Sequence, residues 1–237
     1  MYIENPKTIG SGILCAIPQK ERCINECSDC FFQSGRSYLE PLDKNLPNIP
    51  TLEMTKSRVV KVNDGNDSNN QREIVESVAK RFRNYFFNTS IPKDLETFSA
   101  PVVFTCNPGE LTNKDFLKLA YKPKNLMFVR IRVNTWNNCY IVQPAVNYYT
   151  SMGIRIVLTY MAYYVETIPE DHKDCYEYKK RTLNSYWCIK NENRRNLEFH
   201  YRTNKLVYIC GYKGTHECHR CGNCLREYFR VKEEMCL

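Results

Sequence analysis

A chain of 237 residues that is 43% hydrophobic, 13% aromatic and 25% charged can bury one sizeable core, and it is too apolar to be a disordered polymer. Its net charge of +8, from 34 Lys and Arg against 26 Asp and Glu, reads as spread along the chain, a weak signal for nucleic acid and one that fits a solvated basic surface. No apolar run reaches the ~20 residues that span a bilayer, and the opening MYIENPKTIG has neither a basic nor an apolar leader region, so a cytoplasmic chain with no membrane partner is expected.

Short β-branched or apolar runs alternate with segments of helical spacing, the pattern of consecutive βα units. The first run, residues 9–17 (IGSGILCAI), leads into a cysteine-rich stretch and then into a loop interrupted by Pro41, Pro47 and Pro50. The second, residues 58–62 (RVVKV), meets the turn-forming Asn63-Asp64-Gly65-Asn66-Asp67, after which Ser68 and Gln71 have capping-box spacing. The helix expected there carries Ile74, Val78, Phe82 and Phe86 every four residues, with Val75 and Ala79 widening the stripe.

The third run, residues 101–105 (PVVFT), turns at Asn107-Pro108-Gly109 into a helix that Thr112 caps ahead of Phe116, Leu117 and Ala120. The fourth, residues 126–133 (LMFVRIRV), leads to a helix bearing Ile141, Val142, Ala145, Val146 and Tyr149, with Pro144 near its first turn or at a kink and Gly153 as its stop. The fifth is residues 154–160 (IRIVLTY), followed by a polar and aromatic stretch, partly helical, from about residue 171 to 195; the sixth is residues 206–210 (LVYIC). Six strands with crossover helices predict an α/β fold with a parallel sheet, as an incomplete (β/α)6 barrel over residues 1–210 and a short Cys-rich extension over 211–237. A doubly wound sheet is the alternative, because periodicity does not say whether a sheet curls.

Thirteen cysteines in a reducing compartment are not a disulfide framework. Cys23, Cys27 and Cys30 form a C-x3-C-x2-C run on the loop after the first strand. Thiolates are soft ligands, and three of them leave one iron of a cubane cluster open. In spacing and position this run resembles the radical S-adenosylmethionine superfamily. The resemblance implies a [4Fe-4S] cluster on Cys23, Cys27 and Cys30, and S-adenosyl-L-methionine chelated at the open iron and cleaved reductively to a 5'-deoxyadenosyl radical. It also implies an electron donor such as flavodoxin or ferredoxin, and it leaves the substrate unnamed.

Two departures stand out. Where the family usually has an aromatic residue before the third cysteine this chain has Asp29, followed by Phe31 and Phe32; where it often has a Gly-Gly-Glu-like motif, this chain has residues 63–67. Asn63 and Asp64 are therefore cofactor candidates by location, although any tight turn favours the same residue types. Alternation on the fourth strand puts Met127, Val129, Ile131 and Val133 toward the helices and Phe128, Arg130, Arg132 and Asn134 inward. Arg132 and Asn134 are candidates for the cofactor's carboxylate or ribose, with an internal salt bridge as the competing use; Thr159 ends the fifth strand near the same place.

Cys210, Cys218, Cys221 and Cys224 can complete a second metal site, iron-sulfur or zinc, with His216 or His219 as substitute ligands. Cys15, Cys106, Cys139, Cys175 and Cys188 read as small core residues. The four histidines make no hydrolytic arrangement with a serine or cysteine. A rival from another class is a non-enzymatic zinc-binding module that binds nucleic acid, which requires a localised basic stripe.

Overall fold

The computed structural model describes residues 1–25, 27, 30–106, 119–163, 165–180, 185–211 and 218–236. Strand β1 (Ile13–Ala16) is followed by two single-turn helices, α1 (Leu42–Asn45) and α2 (Leu52–Thr55), and then by β2 (Val59–Val62), α3 (Arg72–Ala79), β3 (Tyr85–Thr89), β4 (Val102–Cys106) and β5 (Leu126–Val133). After β5 come a π-turn (Asn138–Val142), α4 (Gln143–Ser151) and β6 (Ile156–Tyr160). An insertion carries β7 (Ala162–Tyr163), β8 (Tyr176–Lys179), β9 (Tyr186–Ile189) and α5 (Asn191–Phe199), and the chain closes with β10 (Val207–Ile209), α6 (Cys218–Cys221) and α7 (Asn223–Glu234).

The main sheet has seven strands in the order β1-β2-β3-β4-β5-β6-β10, every neighbouring pair parallel. The α/β class and the parallel sheet agree with the sequence expectation. The order never reverses, whereas a doubly wound sheet reverses at its switch point. The insertion forms a separate antiparallel sheet, β7-β9-β8, around Tyr163, Ile168, Tyr176 and Ile189.

The expected helix after β2 is cut short. Phe82 and Phe86 continue an i, i+4 spacing, but the helix stops at Ala79, and residues 85–89 (YFFNT) form a seventh strand with Phe86 and Phe87 buried. Strand-favouring aromatics override the helical period here. Ile74 is exposed and the buried face is Val75 and Ala79. Nor does the capping box form: Gln71 precedes the helix with a positive φ and no side-chain cap, and Ser68 is buried beside Asn63. In contrast, α4 takes Pro144 in its first turn and ends before Gly153 at φ +68, as expected. The turn at 107–109, Thr112, Phe116 and Leu117 lie outside the described residues.

One face of the sheet, with Ala16, Val60, Val62, Phe87, Phe104, Val129, Ile131 and Leu158, packs against Val75 and Ala79 of α3 and Ala145, Val146 and Tyr149 of α4. The opposite face changes character along every strand. At the N-terminal half Val59, Phe86, Val103, Phe128 and Val157 are covered by Tyr228 and Val231 of α7. Two residues later each strand turns polar or thiol-bearing on that same face: Cys15, Lys61, Asn88, Thr105, Arg130, Thr159 and, beyond β10, Cys210. Met127 departs from the expected alternation: a register shift beside Val102 and Val103 places it with Phe128 in the cluster under α7.

Helix α7 is fastened by Glu227, fully buried and bonded by Arg155 (2.8 Å), Arg226 (3.2 Å) and Arg230 (2.8 Å). Burial opposes ionisation of that carboxyl, but the arginine hydrogen bonds and charges outweigh it and hold it below its ordinary range. Among the described residues no helix is long and apolar enough to cross a membrane.

Candidate functional site

The cysteine loop leaves β1 at the C-terminal edge of the sheet and is stitched to the loop after β2. Gln19 Nε2 donates to the carbonyls of Asp67 and Asn70, both at 2.9 Å, and Asn66 Nδ2 donates to Glu21 O at 3.0 Å. Asn25 reaches Ser90 Oγ at 3.3 Å and accepts from Asn70 Nδ2 at 3.1 Å. The Asp67 carboxylate ties this loop to the end of β3, accepting from Thr89 Oγ1 (2.7 Å), Ser90 N (2.6 Å) and Ser90 Oγ (2.9 Å). The ends of three strands thus share one hydrogen-bonded network.

Within it Cys23 is 9% exposed, packed with Ile17, Phe32, Leu39 and Leu42, with Cys30 alongside. Its thiol receives Asn70 Nδ2 at 3.4 Å and its carbonyl receives Gln33 Nε2 at 2.8 Å. Burial raises the thiol to about 11, with the nearby Asp67 and Cys30 adding to the shift. Cys27 and Cys30 are joined by a backbone bond of 3.3 Å from Cys30 N to Cys27 O. Asp29 lies outside the described residues, whereas Phe32 is buried and presses on Gly65, where any Cβ would overlap its ring. The aromatic cover therefore comes from after the third cysteine, and glycine at 65 is what admits it.

Asn63 is buried at φ +64, its amide N–H bonded to Ala16 O (2.7 Å) and its Nδ2 to Ser68 Oγ (3.2 Å), while Oδ1 has no hydrogen-bond partner. Asp64 is committed within the protein: Lys61 pairs with it and Asn5 Nδ2 donates to it. Burial disfavours its ionised form, but the Lys61 charge and the hydrogen bonds from Lys61, Cys15 and Asn5 prevail, and the carboxyl is held below its usual range. Asn134 is also occupied, its Oδ1 accepting from Trp136 N (3.1 Å) and Asn137 N (2.8 Å) and its Nδ2 meeting Tyr163 Oη (3.3 Å), so it organises the turn ahead of α4. Arg132, 8% exposed, sits level with Thr159 on the neighbouring strand.

At the far end of the same face Cys210 leaves β10, its N–H on Leu158 O at 2.8 Å. A hydrogen bond with Cys221 lowers the Cys210 thiol below its ordinary value against the opposing effect of burial, with Arg130, Thr159 and Lys61 assisting. That same bond and burial push Cys221 up; burial also raises Cys218 to about 11 and raises Cys224, which lies against Arg130. Cys218 N bonds to Lys7 O at 3.0 Å and Asn223 Nδ2 to Ile209 O at 2.9 Å, which seats the segment over the sheet. His219 is exposed and His216 lies outside the described residues.

Among the described residues no three His, Cys, Asp or Glu side chains are gathered as a metal-holding group. What does fit a cluster at Cys23, Cys27 and Cys30 is the donor chemistry, an apolar surround and an amide N–H on sulfur. None of the thirteen cysteines is in a disulfide; Cys15 and Cys106 are buried core as expected, whereas Cys139 is exposed and Cys175 and Cys188 are half-buried. Sequence reasoning missed Gln19, Lys61, Asp67 and Asn70. Lys61 carried a readable signal, a lone charge inside the apolar strand VVKV; the other three are ordinary loop residues whose partners lie on other elements.

Comparison with protein-family models, curated proteins and solved structures gives no match, so the functional reading rests on these residues.

Proposed function

We propose that this protein is a radical S-adenosylmethionine enzyme, with Cys23, Cys27 and Cys30 as ligands of a [4Fe-4S] cluster. The observation that carries the reading is the placement of the triad: its loop follows the first strand of a sequentially ordered parallel sheet and is bonded to the loop after the second, at the edge where the inner face is polar. Active sites of (β/α) barrels occupy that edge.

A partial-barrel curl is supported by the stagger of the strands. Lys61 is level with Phe86, Asn88 with Val103, and Arg130 with Val157, so the polar layer climbs two residues at each of these steps. A layer that climbs in one direction is what strand tilt and shear produce when a sheet closes, with a shear of ~8 for eight strands.

When bound, the cluster supplies the electron that cleaves S-adenosyl-L-methionine to a 5'-deoxyadenosyl radical. The chain's own part is to hold and exclude. Asn63 Oδ1, buried without a donor, accepts from the cofactor's amino group. Arg132, inward on β5 beside Thr159, meets the methionine carboxylate. Phe32 keeps water from the cysteine loop. Asp64 and Asn134 act through position, one by neutralising Lys61 and the other by fixing the turn to α4. Electrons come from a donor of the flavodoxin or ferredoxin kind. Cys210, Cys218, Cys221 and Cys224 are the thiols that would supply a second metal site near Lys61 and Arg130, and metal analysis distinguishes zinc there from a second iron-sulfur cluster.

The test is anaerobic reconstitution with iron and sulfide, followed by reduction in the presence of S-adenosyl-L-methionine. A brown protein that releases 5'-deoxyadenosine, with both properties lost in Cys27→Ala, is expected. Colourless protein holding only zinc after reconstitution sinks the reading.

A further inference from the structure

We propose that the surface between residues 178 and 205 binds a single-stranded polynucleotide. Among the described residues from 177 to 205, Lys179, Lys180, Lys190, Arg194, Arg195, Arg202 and Lys205 stand against Glu177, Glu192 and Glu198, a net of +4. Lys179 pairs with Glu177 at 2.8 Å and Arg194 with Glu198 at 2.6 Å, while Lys180, Arg195, Arg202 and Lys205 face solvent.

Charge alone attracts any polyanion; the aromatic side chains make the surface selective. Phe199 is 57% exposed at the end of α5, and the Arg202 guanidinium lies 3.7 Å from its ring centroid. Arg195 is four residues before Phe199 and shares its side of the helix, which gives a cation-aromatic-cation stripe. On the neighbouring hairpin Tyr178, 53% exposed, packs on Trp187 with ring centroids 5.4 Å apart. Large apolar rings left in solvent beside phosphate-binding cations are stacking platforms for unpaired bases. A duplex hides those base faces, so the surface favours single strands.

Arg36, six residues past Cys30, donates to Ala162 O at 2.8 Å on β7, the strand beside β9, whereas Phe199, Arg202 and Lys205 lead into the start of β10. That a polynucleotide is also the substrate rests on the radical reading above; that it binds does not.

Fluorescence anisotropy with the full chain and a labelled oligonucleotide of ~20 residues, longer than the ~4–16-nucleotide sites usual for such surfaces, tests the proposal, with single-stranded RNA, single-stranded DNA and duplex arms. Arg195→Glu with Arg202→Glu is expected to weaken single-strand binding at least ~10-fold and to reduce the log-log salt slope by ~1.4, two phosphate contacts at ~0.7 each. Phe199→Ala is expected to weaken binding ~10-fold and leave the salt slope unchanged, and it serves alone should the double variant misfold. Equal affinity for duplex, binding indifferent to both variants, or attachment to anionic phospholipid vesicles with no oligonucleotide binding overturns the proposal. For the substrate clause, a bound oligonucleotide should raise 5'-deoxyadenosine release several-fold in the reconstituted enzyme; release that ignores a bound strand overturns it. Binding by a protein that never releases 5'-deoxyadenosine refutes the radical reading and leaves the surface standing.

Discussion

The two faces of the seven-stranded sheet solve different problems. The face under α3 and α4 is apolar along the whole length of its strands, from Val60 to Val62 and from Val129 to Val133. The other is apolar only in its first half, where α7 covers it, and then offers Lys61, Asn88, Arg130 and Arg132. Polar groups there are too costly to bury merely as filling. The first face is apolar throughout, the second divides its length between an apolar half and a polar one, and the division falls at one residue position on each strand.

Substitutions on the two faces should therefore fail in different ways. Phe87→Ala, on the fully apolar face, is expected to cost about 4 kcal/mol, measured by urea unfolding, with iron content per folded molecule unchanged. Lys61→Ala leaves the buried Asp64 carboxylate without its cation and should cost about 3 kcal/mol; Lys61→Ala with Asp64→Ala should recover much of it. Gly65→Ala must displace Phe32, so about 2 kcal/mol of overpacking should appear together with poorer iron retention by the cysteine loop. Arg132→Gln should lower 5'-deoxyadenosine release per folded molecule ~10-fold, equivalent to about 1.4 kcal/mol in the barrier; normal release would remove Arg132 from the site.

The smallest effect concerns pH. Asp64 and Glu227 have carboxyls depressed in the folded state, so the stability they contribute is present above the unfolded values of ~4 and is lost as pH falls through the folded ones. The contribution of these two carboxyls to the unfolding free energy should be flat from neutrality to about pH 5 and drop below about pH 4. Glu227→Gln should flatten part of that acid limb at a cost of about 1 kcal/mol near neutrality; an unchanged limb would show that α7 is not held by its charge.

How much of this was legible follows from where the signals lie. All six expected strands are present, because runs such as LMFVRIRV carry a period of two that no helix imitates. The seventh was hidden because Phe82 and Phe86 fit a helical period that tertiary packing overrode. The cysteine triad and the inward Arg130 and Arg132 were readable from spacing and alternation alone. The partners that build the site were not: Asp67 joins the ends of two strands and Asn70 reaches Cys23 across 47 positions of chain, and no local pattern encodes a contact made only by folding. Asn134 was found for the wrong reason, since its location is at the sheet edge but its side chain is spent on the turn.

Helix α7 has a consequence for how the chain is made. It lies downstream of every strand, yet it supplies Tyr228 and Val231, the cover for Val59, Phe86, Val103, Phe128 and Val157. A growing polypeptide that has completed β10 still presents that strip of valine and phenylalanine to water, with Arg155 lacking Glu227. Hydrophobic surface left bare during synthesis invites association between neighbouring nascent chains, so production in cells should depend on chaperone supply until residue 231 has emerged.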